Sequence, residues 1–356
     1  MLAGMRKILV VGDDYIRSEH IREGFAPMAR CGYEIIEANW LHGSMAELSE
    51  ENRIVEQKGP QAVAVPGEIY DLVRDVELLI VQYLPVPASL IDAAQALRAV
   101  GSLRTGLENI DLNCLAERGI MLFNTPGRLA EAVSDYTIGL LIAEARNIAR
   151  GHAALKQGIW RREYANSSFV PELAGRTVGL VGLGEIGRAV ARKLCGFSVQ
   201  MLAHDPYASP LTAAEFGVEL VELDTLMADA DFISIHARLA PETHHLIGAR
   251  ELALMKPTAI IVNTARAAIV DEQALREALR AGRIGGAALD VFESEPPDAH
   301  DLLLTLDNCT VTPHLAGISV DAVVNSPRRL ARAMMMDICE GRPSGFLVRA
   351  AREAPV

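Results

Sequence analysis

Arg176–Asp205 reads RTVGLVGLGEIGRAVARKLCGFSVQMLAHD. Thr177–Val181 is a short apolar run, suited to a buried parallel strand. Gly182-Leu183-Gly184-Glu185-Ile186-Gly187 follows at once. Ala189–Leu194 then reads as the first turns of a helix, and Val199–Ala203 as a second strand, with Asp205 at its end. A strand, a G-x-G-x-x-G turn, a helix and an acid about twenty residues on form a dinucleotide-binding fingerprint. Gly182 permits the tight turn, Gly184 lets a pyrophosphate approach the backbone, and Gly187 lets helix and strand pack closely. The helix N-terminus offers free N–H groups and a positive dipole end. Asp205 can accept from ribose hydroxyls and would repel a 2′-phosphate. No Arg follows at Pro206 or Tyr207, so NAD is expected over NADP.

The rest of the chain repeats the strand–helix rhythm on both sides of this stretch. Before it, strands are expected at Lys7–Val11, Tyr33–Ala38, Leu78–Val81, Val100–Leu103 and Ile120–Phe123. Helices are expected at Ile16–Ala29, Glu68–Arg74, Leu90–Leu97 and Leu112–Arg118. After it come strands at Phe232–His236, Ala259–Asn263, Gly286–Val291 and Cys309–Thr312, with helices at 223–227, 248–254 and 272–281. Such alternation implies an α/β fold, with two doubly wound parallel sheets covered by helices on both faces. Asn124-Thr-Pro126-Gly127 reads as a hinge. One long helical segment is expected from about Leu129 to Gln157, with an apolar run at Tyr136–Ala143. The last segment, Val320–Cys339, reads as a single amphipathic helix containing Pro327.

The 356 residues suggest two domains. A net charge of −12 argues against a nucleic-acid partner. The five Cys are scattered without C-x-x-C spacing, as in a reduced cytoplasmic protein, and no metal site is expected. His244-His245 lacks nearby Cys or carboxylate ligands at suitable spacing. No apolar run reaches the roughly eighteen residues of a membrane span.

In parallel sheets, ligands sit beyond the carboxyl ends of the strands. In the first half this marks the loops at 82–87 and 102–109 as substrate loops, with Leu84, Arg104, Thr105 and Gly106 as candidates. Arg104 could meet an anionic or polyhydroxylated substrate end, or pair with Glu108 or Asp111. In the second half three strand ends carry Arg266, Asp290 with Glu295, and His314. His314 can take and return a hydroxyl proton, since histidine titrates near working pH. Glu295 beside its far ring nitrogen would fix the tautomer. Arg266 can grip a carboxylate two-pronged and polarise the adjacent carbonyl. Together they suit a 2-hydroxy acid or 2-keto acid. Asp290 could instead hold the nicotinamide carboxamide, and His236 reads as a wall of the cofactor cleft.

With these residues in place, the chain resembles the NAD-dependent D-isomer-specific 2-hydroxyacid dehydrogenases from about Leu78 to Gly317. The matching motifs are GLGEIG at 182–187 with Asp205, HARLAPETHHLIG at 236–248, MKPTAIIVNTARAAIVDEQAL at 255–275, GGAALDVFESEP at 285–296 and TPHLAG at 312–317. The resemblance implies that Arg266 binds substrate and that Glu295 pairs with His314. It also implies cofactor contacts at Glu185, Ile186, Asp205, His236, Thr264, Ala265, Arg266, Asp290, His314 and Gly317. It implies a flavodoxin-like substrate domain at 1–124 plus 318–356, interrupted by a Rossmann NAD domain at 125–317. It further implies a homodimer joined through the NAD domain. Ala267, Arg238 and Ala240 depart from the family's usual Gly, Pro and Thr, and Arg104–Asp111 departs from its usual first-domain loop. The rival reading is an NAD(H)-sensing, corepressor-like binding protein on the same fold, since fold does not fix function.

Overall fold

The computed structural model describes residues 5–348 and divides into two compact units. One runs through Arg128 and resumes at Ser319; the other is Leu129–Ile318.

The first unit is built on five strands: β1 Arg6–Gly12, β2 Tyr33–Asn39, β3 Leu78–Val81, β4 Ala99–Ser102 and β5 Met121–Phe123. They pair in parallel in the order β2-β1-β3-β4-β5. Leu78–Val81 is buried along its whole length, as expected of a strand covered on both faces. The last helix, Val320–Met334, returns to this unit and sets Leu330, Ala331 and Met334 beside Ile8, Val10 and Phe25. It does not run to Cys339 as one α-helix, because Met335–Cys339 forms a π-helical turn.

The second unit has seven strands: β6 Thr177–Val181, β7 Gln200–His204, β8 Val218–Leu220, β9 Phe232–Ile235, β10 Ile260–Asn263, β11 Gly286–Leu289 and β12 Cys309–Val311. All pair in parallel in the order β12-β11-β10-β9-β6-β7-β8. The order reverses at β6, which pairs with β7 on one side and β9 on the other. Val181 lies level with both His204 and Ile235. That reversal opens the crevice in which doubly wound sheets hold their ligands.

The single long helix expected over 129–157 is two helices, Ala130–Ala145 and Ile148–Lys156. Asn147 separates them with φ 59°, a left-handed conformation that Asn tolerates better than most residues. Its amide donates to Asn166 Oδ1 at 2.7 Å, which fixes the break. Just before it stands Glu144, 1% exposed. Arg150 Nη1 donates to both Glu144 carboxylate oxygens at 2.9 Å, and the Thr310 hydroxyl donates at 2.6 Å. Burial pushes the Glu144 pKa up and the Arg150 charge opposes it. Across the pair lies Gly286 of β11, where a Cβ would fall 2.4 Å from Glu144 Oε1.

Candidate active site

The glycine turn sits at the reversal point. Gly182 has φ 98°, and a Cβ there would fall 2.6 Å from the Ala237 nitrogen. A Cβ at Gly187 would fall 2.2 Å from the Gly182 carbonyl oxygen, so helix and turn touch. At Gly184 the same test meets no atom within 4 Å, leaving open backbone for a diphosphate. Helix Glu185–Leu194 starts here; it buries Gly187, Ala189, Val190, Ala191 and Leu194. Glu185 pairs with Arg188 one turn on, and Ile186 is half-buried.

Asp205, beyond β7, accepts from the Leu183 N–H at 2.7 Å and the Tyr207 N–H at 2.9 Å. Each carboxylate oxygen retains a lone pair for a further donor. His236, beyond β9, hydrogen-bonds through Nε2 with the Ser234 hydroxyl at 2.9 Å. Its Nδ1 is buried without a partner, and burial lowers its pKa to about 3. The ring is therefore neutral near pH 7 and forms a wall of the turn, not a proton carrier. An open glycine backbone, a helix N-terminus, an acid and an orphaned ring nitrogen together fit a dinucleotide.

The catalytic candidates stand at the ends of three neighbouring strands, and backbone bonds tie those ends together. The Asp290 N–H donates to the Asn263 carbonyl at 3.0 Å, and the His314 N–H to the Asp290 carbonyl at 3.0 Å. Asp290 is fully buried; its carboxylate accepts from the Thr312 hydroxyl (2.6 Å), the Leu315 N–H (2.9 Å) and the Ala316 N–H (2.8 Å). Thus Asp290 holds the loop that carries His314, and its carboxylate is engaged there. The loop needs holding, because His314 has φ 54°, a conformation that costs a non-Gly residue about 1–3 kcal/mol.

His314 Nδ1 lies 2.7 Å from Glu295 Oε2. The other Glu295 oxygen accepts from the Phe292 N–H at 3.1 Å, so the carboxylate is held from both sides. A carboxylate partner makes Nδ1 the protonated nitrogen and leaves Nε2 to exchange a proton. Arg266, beyond β10, is exposed, and its Nη1 donates to the Ala265 carbonyl at 2.7 Å. Asn263 shapes that turn by bonding the Arg266 carbonyl and the Ala265 N–H, both at 3.0 Å. Arg266 shares the sheet end with His314 and Glu295, without a hydrogen bond to either among the described residues. The Thr264 hydroxyl is turned to Thr137 at 2.8 Å, and Gly317 lies against Leu129.

Leu84 is 1% exposed and belongs to the apolar core of the first unit, so its side chain lines no open loop. Arg104 is held by Glu56 at 2.8 Å and Asn52 at 2.7 Å, with Glu108 at 3.8 Å. Asp111, its other expected partner, caps the next helix through the Cys114 N–H. Thr105 donates to the Thr125 carbonyl at 3.2 Å, and Gly106 lies against the Glu108 carboxylate. The His244 and His245 rings stack at 4.0 Å, and His245 faces Glu293 at 3.7 Å. No group of three His, Cys, Asp or Glu able to hold a metal occurs among the described residues.

Comparison with known proteins shows which family the chain resembles. A family model described as "D-isomer specific 2-hydroxyacid dehydrogenase, NAD binding domain" matches residues 138–316, within the second unit, and gives that unit NAD as its cofactor. A D-3-phosphoglycerate dehydrogenase of Methanocaldococcus jannaschii is 40% identical over 275 residues, 76% of this chain and 52% of the relative. The chain thus spans about half the length of that relative and of a second from Archaeoglobus fulgidus, covered to 49%. A hydroxypyruvate reductase of Thermotoga maritima is 40% identical over 258 residues, 72% of this chain and 82% of the relative. Among solved structures, the TT0316 protein of Thermus thermophilus is 30% identical with TM-score 0.69, covering 96% of this chain and 100% of that one. A D-lactate dehydrogenase with NAD+ from Lactobacillus jensenii shares the fold at TM-score 0.74 and 24% identity, covering 97% and 100%. On the motifs, the two parallel sheets and these matches, the chain belongs to the D-isomer specific 2-hydroxyacid dehydrogenase family.

Proposed function

We propose that the protein is an NAD-dependent oxidoreductase that interconverts a D-2-hydroxy acid and its 2-keto acid. The observation that carries this reading is the 2.7 Å pair of His314 and Glu295 on the sheet end shared with Arg266, in the same unit as the dinucleotide cradle. The bound nicotinamide supplies or accepts the hydride. Arg266 takes the substrate carboxylate and polarises the adjacent carbonyl. His314 Nε2 gives the proton to the carbonyl oxygen in reduction and removes it in oxidation. Glu295 stabilises the imidazolium and keeps the ring turned to the substrate. Asp290 holds the His314 loop, and Gly182, Gly184, Gly187 and Asp205 hold the dinucleotide.

The test is oxidation of NADH, with NADPH alongside, by glyoxylate, pyruvate, hydroxypyruvate and longer sugar-derived 2-keto acids. At least one acid is expected to be reduced. NADH should lead NADPH by roughly tenfold or more in kcat/KM, because a 2′-phosphate set against Asp205 repels by about 1–4 kcal/mol. If no acid oxidises NADH, the corepressor-like reading replaces this one. Equal use of NADPH would remove Asp205 from its role.

The working form in this reading is a cytoplasmic homodimer joined through the second unit. Five free thiols support the compartment. An exposed apolar row supports the dimer: Ile148, Leu155 and Ile159 stand open, and Trp160 is 80% exposed. Light scattering is expected to give about twice the 38.4 kDa chain mass, and a monomer would end the dimer proposal. No helix among the described residues is long and apolar enough to cross a membrane.

A further inference from the structure

Two of the five cysteines are brought together from opposite ends of the chain, and the proposed reaction uses neither. Cys31 closes a short 3-10 helix, Ala26–Cys31, that precedes β2. Cys339 closes the π-helical turn Met335–Cys339 that follows the last helix. The Glu340 N–H, donating to the Met335 carbonyl at 3.1 Å, pins that turn. Both turns lie over one core: Cys31, Met335 and Ile338 pack on the cluster that holds Phe25, Met28 and Tyr33. There the Cys339 S–H donates to the Cys31 sulfur. Desolvation pushes the Cys339 thiol up to about 12, and this hydrogen bond acts in the same direction. Arg6, which lies over Tyr33 at 4.0 Å and pairs with Glu77 at 3.0 Å, opposes the shift.

The pair is open to small molecules. Cys339 is exposed and Cys31 half-buried. Beyond Cys31 the chain turns at Gly32, φ 79°, where a Cβ would meet nothing within 4 Å. Cys195 is exposed as well, but its thiol is turned to the Ala191 and Phe216 carbonyls at 3.4 and 3.9 Å. A thiol beside a second thiol is oxidised to a disulfide, because its sulfenic acid meets a sulfur before it meets more oxidant.

A bond here would have a structural effect. The first unit is made of two segments, one running through Arg128 and one resuming at Ser319. Cys31 belongs to the first and Cys339 to the second. The second segment is otherwise held by the packing of Leu330, Ala331 and Met334 and by a short backbone bridge between Phe123 and Leu347.

We propose that Cys31 and Cys339 are a redox-sensitive pair, oxidised by a hydroperoxide to a disulfide that staples the second segment of the first unit to the first. The Cys31 sulfur, the acceptor of the pair, attacks the peroxide. The O–O bond breaks, one oxygen leaves with the Cys31 proton as water or an alcohol, and Cys31 becomes a sulfenic acid. The Cys339 sulfur then attacks Cys31, the S–O bond breaks, and the hydroxide leaves with the Cys339 proton as water. The two thiols lose two electrons and the peroxide gains them. A dithiol reverses the bond by exchange. Disulfides of reducing compartments are commonly of this transient kind.

The test starts from the reduced full chain. It is treated with hydrogen peroxide, its remaining thiols are alkylated, and the non-reduced digest is read by mass spectrometry. A linked Cys31–Cys339 peptide pair is expected, lighter than the two reduced peptides by two hydrogen atoms and absent after dithiothreitol. Cys195 should stay open to alkylation over the same period. Oxidation should raise the melting temperature by at least about 4 °C, because the bond restricts the unfolded chain. Cys31→Ser and Cys339→Ser, treated alike, should show neither the linkage nor the rise. The proposal is overturned if the wild type gives no such linkage, or if Cys195 is lost as fast as the pair. Sulfinic acid at Cys31 in place of the disulfide overturns it too, since Cys339 would then be out of reach. So does a linked chain that melts no higher than the reduced one, or an equal rise in Cys339→Ser.

Discussion

His314→Ala is expected to lower kcat for 2-keto acid reduction by about 10²–10⁴, the usual contribution of a positioned proton donor. NADH binding should change little, because the diphosphate and ribose contacts are proposed at Gly182–Gly187 and Asp205, beyond other strands. Single-turnover hydride transfer and a fluorescence titration with NADH separate the two effects. The loss should appear in kcat and in kcat/KM alike, since the proton is delivered only as the carbonyl oxygen gains charge. Alanine also frees Glu295, whose Oε2 would lose its 2.7 Å partner while Oε1 keeps the Phe292 N–H. The carboxylate therefore stays in place and cannot stand in as the proton donor. Turnover within a few-fold of the wild type would remove His314 from its role.

The reason this prediction could be framed from sequence is that strand ends are legible. Val262–Arg266, Asp290–Glu295 and Thr312–His314 each follow a short apolar run, and parallel strands deliver their ends to one edge. What sequence could not supply was the lateral bonding. That Asp290 grips the His314 loop depends on β11 and β12 being neighbours, and nothing in the linear order states it. The least legible elements were those with thin apolar signals. Helix Met45–Lys58 buries only Leu48 and Val55, so no apolar stripe announced it. Because that helix carries Asn52 and Glu56, these two partners of Arg104 were invisible too, whereas Glu108, nearer in sequence, was legible. Pro210–Glu215 and Val218–Leu220 were missed because so few residues show no period.

The second large effect concerns stability. Arg150→Met is expected to cost about 3–5 kcal/mol of unfolding free energy, the penalty for leaving a buried charge unpaired. Glu144 would keep the Thr310 hydroxyl and lose every cationic contact. Burial already pushes its pKa up, and removal of the arginine would push it further in the same direction. Urea denaturation of the two proteins at pH 7 measures the difference. The double variant Glu144→Gln with Arg150→Met should recover part of the loss, because a neutral amide needs no counter-ion. A single-variant cost below about 1 kcal/mol, the range of surface pairs, would show that the pair is not effectively buried.

Glu144, Arg150, Gly286 and Thr310 also change the set of steps by which this chain can vary. The carboxylate sits where a side chain at position 286 would have to go. Alanine at 286 is therefore excluded while Glu144 stands and becomes admissible once a smaller residue replaces it. Losing Arg150 is severe with Glu144 present and mild without it. Each single step from the present state lowers stability, whereas a joint step need not. Four positions from separate stretches of the chain, one of which carries both Glu144 and Arg150, thus behave in descent as one locus, whose members can be exchanged together but not drift separately.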